Sequence, residues 1–184
     1  MKKVVWKWFI DYEKEEAWLN EMSAKGFAFT NYFFGRYVFA ESTPGEYVYR
    51  MELLKNRLSH PDSRQYLGFM AETGAECVSS WYRWAYFRKK AETGTFEIYS
   101  DADSKIAHYR RISSVFLSMG ILEACCGIME LLNILSDDEG SIFGSLMDPF
   151  LLGFFCIMGS VFLLSWNSFR KKIKKLKQEK DVWE

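Results

Sequence analysis

Two glutamates stand inside an apolar run: Glu123 and Glu130 interrupt ISSVFLSMGILEACCGIMELLNIL, Ile112 to Leu135. With Gly120 and Gly127 they are spaced 3, 4 and 3, which places all four along one helical face, with Asn133 and Asp137 close to its continuation. Carboxyls in an apolar helix can meet a partner, a cationic ligand or a proton path, and the glycines let another backbone approach. The same residues serve equally as hydrogen-bonded glue between neighbouring helices. Insertion energetics make the face conspicuous. Two charged acids cost roughly 5–7 kcal/mol at a membrane centre, and the segment's eleven Leu, Ile, Val and Phe return about 3–7 kcal/mol. Such a helix needs neutral carboxyls, a partner surface or water along that face.

Basic residues offer a second chemistry. Arg110 and Arg111 precede the first apolar segment, and Arg170, Lys171, Lys172, Lys174, Lys175 and Lys177 follow a second, PFLLGFFCIMGSVFLLSW, Pro149 to Trp166. Such clusters bind anionic lipid headgroups at roughly 1 kcal/mol per basic residue, or simply fix orientation as a stop-transfer signal. Other chemistries lack their residues. His60 and His108 lie in no metal-ligand spacing and read as surface residues; Cys77, Cys125, Cys126 and Cys156 form no CxxC and read as small apolar residues. Phosphate loops and seryl or cysteinyl nucleophile signatures are absent, so no catalytic residue, metal or cofactor is expected. Glu13, Glu15, Glu16 and Glu21 read as a solvated helix face. Aromatics interleave with Arg36, Arg50, Arg83 and Arg88, but residues 1–111 hold 17 Lys/Arg against 15 Asp/Glu, which argues against direct nucleic-acid binding.

These groups must be positioned by two kinds of structure. At about 1.5 Å per residue, the segments 112–135 and 149–166 can each cross a hydrocarbon core of roughly 30 Å, the second with help from its flanks. Asp148 is a candidate cap with Pro149 at the first helical position. The intervening 136–148 carries only acids, Asp137, Asp138, Glu139 and Asp148, whereas the tail 167–184 is basic, so both chain ends are expected on the cytoplasmic side. The opening MKKVVWKWFID has no small-residue cleavage site and does not read as a signal peptide.

Residues 1–111 read as one soluble α+β domain containing the same unit twice, over about 11–54 and 63–101. Asp11 caps a first helix that buries Trp18, Leu19 and Met22 and ends at Gly26; Ser63 caps a second that buries Tyr66, Leu67 and Met70 and ends at Gly74, 48 residues on. Each is followed by a three-strand antiparallel meander: FAFTNYFFG, RYVFAE and EYVYRMELL, then ECVSSWYR, WAYFRKK and TFEIYSD. Gly45 and Gly94 mark the last hairpins, Phe39 and Phe87 match in the middle strands, and Val4, Trp6, Trp8 and Ile10 add a strand at the start. Duplication is the favoured account, with parallel patterning of two separate halves its rival.

The stretches WKWF, DYEKEEAWLNEMSAKGF, YVYRMEL and WYRWAYFRK resemble the bacterial family called domain of unknown function 2812, over about residues 1–100. That resemblance implies a membrane-associated bacterial protein, often with C-terminal membrane helices and often encoded near PadR-like regulators, with no established activity to transfer.

Together these readings describe a duplicated α+β domain followed by a two-span hairpin, multi-pass in the bacterial cytoplasmic membrane. The expected function is that of a non-enzymatic accessory or sensory protein. Its partners would be membrane lipid and either a protein, such as a transcriptional regulator or transporter subunit, or a second copy of itself. The alternative is a small transport or resistance component that handles a cation or cationic amphiphile through oligomerised hairpins.

Overall fold

The computed structural model describes residues 2–136 and 142–183, with side chains described for 2–136 and 147–180. Asp137, Asp138 and Glu139 of the acidic connector lie outside the described residues. The chain divides into two compact units, Met1–Ser100 and Asp101–Glu184.

The first unit runs β1 (Lys2–Trp6), α1 (Tyr12–Ala24), β2 (Phe27–Phe33), β3 (Arg36–Glu41), β4 (Tyr47–Leu53), α2 (Pro61–Glu72), β5 (Glu76–Trp81) and β6 (Trp84–Lys90). Its strands form two antiparallel sheets, ordered β1-β3-β2 and β4-β6-β5. The order strand-helix-strand-strand therefore occurs twice, with a different grouping from two helix-plus-meander sets. EYVYRMELL does not close a first meander: as β4 it pairs with β6, from Tyr47 opposite Lys90 to Leu53 opposite Trp84. The turn at Gly45 thus carries the chain between sheets. TFEIYSD is not a strand, because Phe96 is buried in the α2 cluster and Ile98 packs against it, which takes this stretch away from any sheet edge.

Local chemistry sets the helix ends. Asp11 caps α1 by accepting from the Glu13 N–H at 3.0 Å, and Gly26, at φ 81°, terminates it in the left-handed conformation glycine tolerates. In α2 the cap is His60 rather than Ser63. Pro61 takes the first helical position, and the buried Ser63 hydroxyl instead donates to the Asn56 carbonyl. At the start of the chain the apolar face is reversed. Val5 and Phe9 pack on the core, whereas Val4, Trp6, Trp8 and Ile10 are exposed.

Two clusters fill this unit. Leu19, Met22, Phe29, Tyr37, Phe39, Tyr49, Met51 and Tyr86 join α1 to both sheets, while Leu54, Met70, Ala75, Ala85, Phe87 and Phe96 gather under α2. Strand β6 faces both, since Tyr86 points to the first and its neighbours Ala85 and Phe87 to the second. The offset of 48 recurs in the backbone: left-handed Gly26 and Gly74, left-handed Phe34 and Tyr82, and bulges at 29–31 and 77–79. The bulges meet. Ser79 Oγ donates to Asn31 Oδ1 at 3.3 Å and accepts from the Tyr32 N–H at 3.0 Å.

The second unit is an antiparallel pair, α3 (Ala102–Ser136) and α4 (Ile142–Trp183), both long and apolar enough to cross a membrane. Each extends beyond the apolar segment that marks it in the sequence. Pro149 lies inside α4 rather than at its start, so Asp148 is not its cap. One proline so near a helix start removes a single backbone bond, a loss the following turns outweigh.

Candidate functional site

The polar face of α3, from Gly120 to Glu130, turns inward, toward α4. Gly120 is buried, and a Cβ there would lie 3.1 Å from Leu163 Cδ2; one at Gly127 would lie 3.5 Å from Phe155 Cβ, and one at Gly159 3.5 Å from Glu123 Cβ. The small residues of α3 thus receive the bulk of α4, and Gly159 returns the favour at Glu123. Glu123 Oε2 and Glu130 Oε1 are buried without a hydrogen-bond partner among the described residues. Glu130 also lines a cleft of about 590 Å³ with Cys126, Asn133, Ser136 and Phe155. Asn133 therefore joins this face, while Asp137 falls outside the described residues.

The basic residues divide into two sets. Arg110, Arg170, Lys171, Lys174 and Lys177 line a cleft of about 750 Å³ between α3 and α4, together with Ser113, Ser114, Trp166 and Asn167. No acidic side chain is among its walls. Arg170 lies 4.9 Å from the Trp166 ring centre, a cation over an aromatic face. The others serve elsewhere: Lys172 lies over the Phe169 ring at 4.9 Å, Lys175 pairs with Glu179 at 3.7 Å, and Arg111 is not part of the cleft. His108, expected at the surface, is buried on α3, and His60 spends its ring on the α2 cap. Among the described residues no group of three or more His, Cys, Asp or Glu could hold a metal ion, and all four cysteines are free.

A third centre lies on α1, where the sequence predicts only a solvated face. Glu15, expected on a solvated face, is only 8% exposed, and its Oε1 accepts from both Tyr37 and Tyr86 hydroxyls at 2.7 Å. Glu16 is half-buried as well, accepting from the Met51 N–H at 2.9 Å and from Arg50 at 3.3 Å. The contrast lies in the counter-charge. Arg50 faces Glu16, whereas no basic side chain acts on Glu15 among the described residues. Burial pushes the Glu15 carboxyl above its ordinary range, and the two phenols pull it only part of the way back. Burial, reinforced by the Glu15 charge, raises both phenols, so they remain donors. Spacing could have revealed this residue, because Glu15, Trp18, Leu19 and Met22 fall at i, i+3, i+4 and i+7, on the buried face of α1.

An aromatic column leads away from this carboxylate. Tyr32 lies 4.8 Å from Tyr37, 5.3 Å from Tyr86 and 6.1 Å from Trp81, which lies 6.3 Å from Phe34; Phe34 lies 4.8 Å from Trp8. Its outer members are open to solvent, Trp81 at 38% and Phe34 at 54%.

The family model described as protein of unknown function (DUF2812) matches residues 11–121, more than half of this 184-residue chain. The chain belongs to the DUF2812 family. No curated protein and no solved structure matches it. The DUF2812 match takes in Glu15, Tyr37, Tyr86 and the whole aromatic column except Trp8, and it ends on α3 between Gly120 and Glu123. Glu123, Glu130 and the lysines of α4 lie outside the matched residues.

Proposed function

We propose that this DUF2812 protein is a non-enzymatic sensory or accessory protein of the bacterial cytoplasmic membrane, in which the α3–α4 hairpin is the anchor and the first unit recognises a protein partner. One observation carries the reading: an apolar sheath that ends at a basic cleft. Ile121, Leu122, Ile128, Met129, Leu132, Leu135, Phe150, Ile157 and Leu164 are all exposed along the two helices. Water does not tolerate so continuous an apolar surface, but lipid does. The cleft of Arg110, Arg170, Lys171, Lys174 and Lys177 suits an anionic inner leaflet, which supports a cytoplasmic location for both chain ends. The twofold βαββ order and its constant offset of 48 support an internal duplication of the recognising unit.

The test is fractionation followed by labelling. The protein should leave membranes only with detergent, and a Lys175→Cys variant should react with an impermeant thiol reagent only after the cells are opened. Cross-linking in intact cells should retain a foreign protein on the first unit. Recovery of the chain from the aqueous fraction would overturn the anchor, and retention of nothing but other copies of the chain would overturn the partner.

A second reading, a hairpin that handles a cation, is favoured by the Glu130 cleft with its unsatisfied carboxyl oxygen. It requires that Glu130→Gln abolish cation movement in reconstituted vesicles with no partner present.

A further inference from the structure

The Glu15 centre combines three properties that a purely structural carboxyl does not need. It carries acid without a basic counter-group, both phenol bonds end on the same oxygen, Oε1, and it stands at the foot of an aromatic column that reaches solvent. A phenol that donates to an acid becomes richer in electrons on its ring faces, and Tyr32 rests against both of the phenols that do so. Rings of this kind attract cations at their faces, and most strongly where the cation sheds water.

The backbone supplies an independent sign. Among the described residues Phe34 and Tyr82 are the non-glycine residues with positive φ, at 43° and 56°, and each sits at the tip of a hairpin, β2–β3 and β5–β6. Asn, Asp or Gly would suit these positions, and a bulky aromatic there costs on the order of 1–3 kcal/mol. The fold bears that strain twice and thereby sets two aromatic rings at the tips of the two sheets, with Phe34 at the open end of the column. Resident cations already use neighbouring rings: Lys7 Nζ lies 4.8 Å from the Trp18 ring centre, and the Arg57 guanidinium lies 5.3 Å from that of Tyr82.

We propose that the first unit binds one lipophilic organic monocation per chain, seated on Tyr32, Trp81 and Phe34 and held electrostatically by the Glu15 carboxylate. This deepens the reading of the first unit as the recognising part of the protein, and it assigns that part a small-molecule input. The stoichiometry follows from the sequence. At the offset of 48, Ser63 stands in the place of Glu15 and Ala85 in that of Tyr37, so the second copy does not repeat an acid shared by two phenols at these positions.

The test uses the full chain in mild detergent, with tetraphenylphosphonium as probe and tetraphenylborate, its anion of the same shape, as control. Equilibrium dialysis against empty micelles should show one tetraphenylphosphonium per chain and no saturable tetraphenylborate. Glu15→Gln should weaken the cation several-fold, since the carboxylate charge is lost while the aromatic seat, open to solvent at Trp81 and Phe34, remains. Phe34→Asn suits the left-handed tip, so it should keep or raise the melting temperature while weakening the cation several-fold. Equal binding of the two ions, or unchanged affinity in a folded Phe34→Asn variant, would overturn the proposal. Detergent dependence and partner retention are read in separate experiments, so failure here is distinguishable from failure of the membrane reading.

Discussion

Replacing Glu15 with Gln should make the protein more stable at neutral pH than at acid pH relative to wild type, and the size of the effect follows from the burial of one carboxyl. In the unfolded chain this group titrates near its ordinary value of 4.5; in the folded chain burial raises it, against the pull of the Tyr37 and Tyr86 hydroxyls. The folded state therefore holds the proton more tightly. Its contribution to stability is complete below the unfolded value and is lost as pH rises through the folded one, at no more than about 1.4 kcal/mol per pH unit, after which it stays constant. Glutamine does not titrate, so the stability difference between variant and wild type should move in favour of Gln across that window and then level off.

The measurement is urea unfolding of the full chain in detergent between about pH 4 and 8, followed by near-ultraviolet circular dichroism, to which Trp18 and Trp84 in the first core contribute. The difference between proteins is needed because Glu16 is raised as well, by burial, and imposes its own slope on both. Tyr86→Phe provides the complementary change. It removes one bond to a charged acceptor, at a cost of about 1.5–3 kcal/mol above the window, and shifts the window upward because one of the two donors that favour ionisation is gone. A difference that stays flat across the range, or that moves in favour of Glu as pH rises, would refute the argument, since the carboxylate would then be stabilised as an anion and burial would not dominate.

Two further outcomes follow from the second unit. Gly159→Leu places an isobutyl group where even a Cβ lies 3.5 Å from Glu123, so the α3–α4 pair should lose about 1–3 kcal/mol, visible as a lower melting temperature in detergent; an unchanged melting point would show that the helices are not packed along this face. Arg170→Gln with Lys174→Gln removes two cleft cations at about 1 kcal/mol each, so retention of cardiolipin or phosphatidylglycerol over phosphatidylcholine should fall roughly thirtyfold, and undiminished selectivity would place lipid elsewhere.

The parts of this fold visible in the sequence are those decided within a few residues. Asp11 and Gly26 bracket α1 because capping and left-handed termination are local, and the two C-terminal helices declare themselves by apolar length. Strand partnership is not local. EYVYRMELL reads as a strand by its alternation, but nothing in it tells β3 from β6, and only packing decides: Asn20 of α1 bonds both the N–H and the carbonyl of Tyr49, and Ser23 bonds the Tyr47 carbonyl. The same limit hid Glu15. Its place on the apolar face was legible, but its partners lie 22 and 71 residues away, on different sheets. The Gly120 to Glu130 face was legible as a face, while the partner it meets, α4 of the same chain, became evident only with the helices paired.

The position of Glu15 between sheets gives a recognition event somewhere to act. Tyr37 belongs to the β1-β3-β2 sheet and Tyr86 to the β4-β6-β5 sheet, and a single carboxyl oxygen accepts from both. Any change in the charge or orientation of that group is therefore felt on both sheets at once. Other joints nearby, Ser79 with Asn31 and the Tyr32 N–H, and the Tyr49 hydroxyl with the Phe29 N–H at 2.8 Å, are made by neutral groups that carry no charge at neutral pH. A cation on the column would favour ionised Glu15, strengthen both phenol bonds and draw the sheets together at this joint, whereas protonation would weaken them. Occupancy of one small site would thus become a difference in how firmly the two halves of the first unit are held together, a change that a protein bound across both sheets could read.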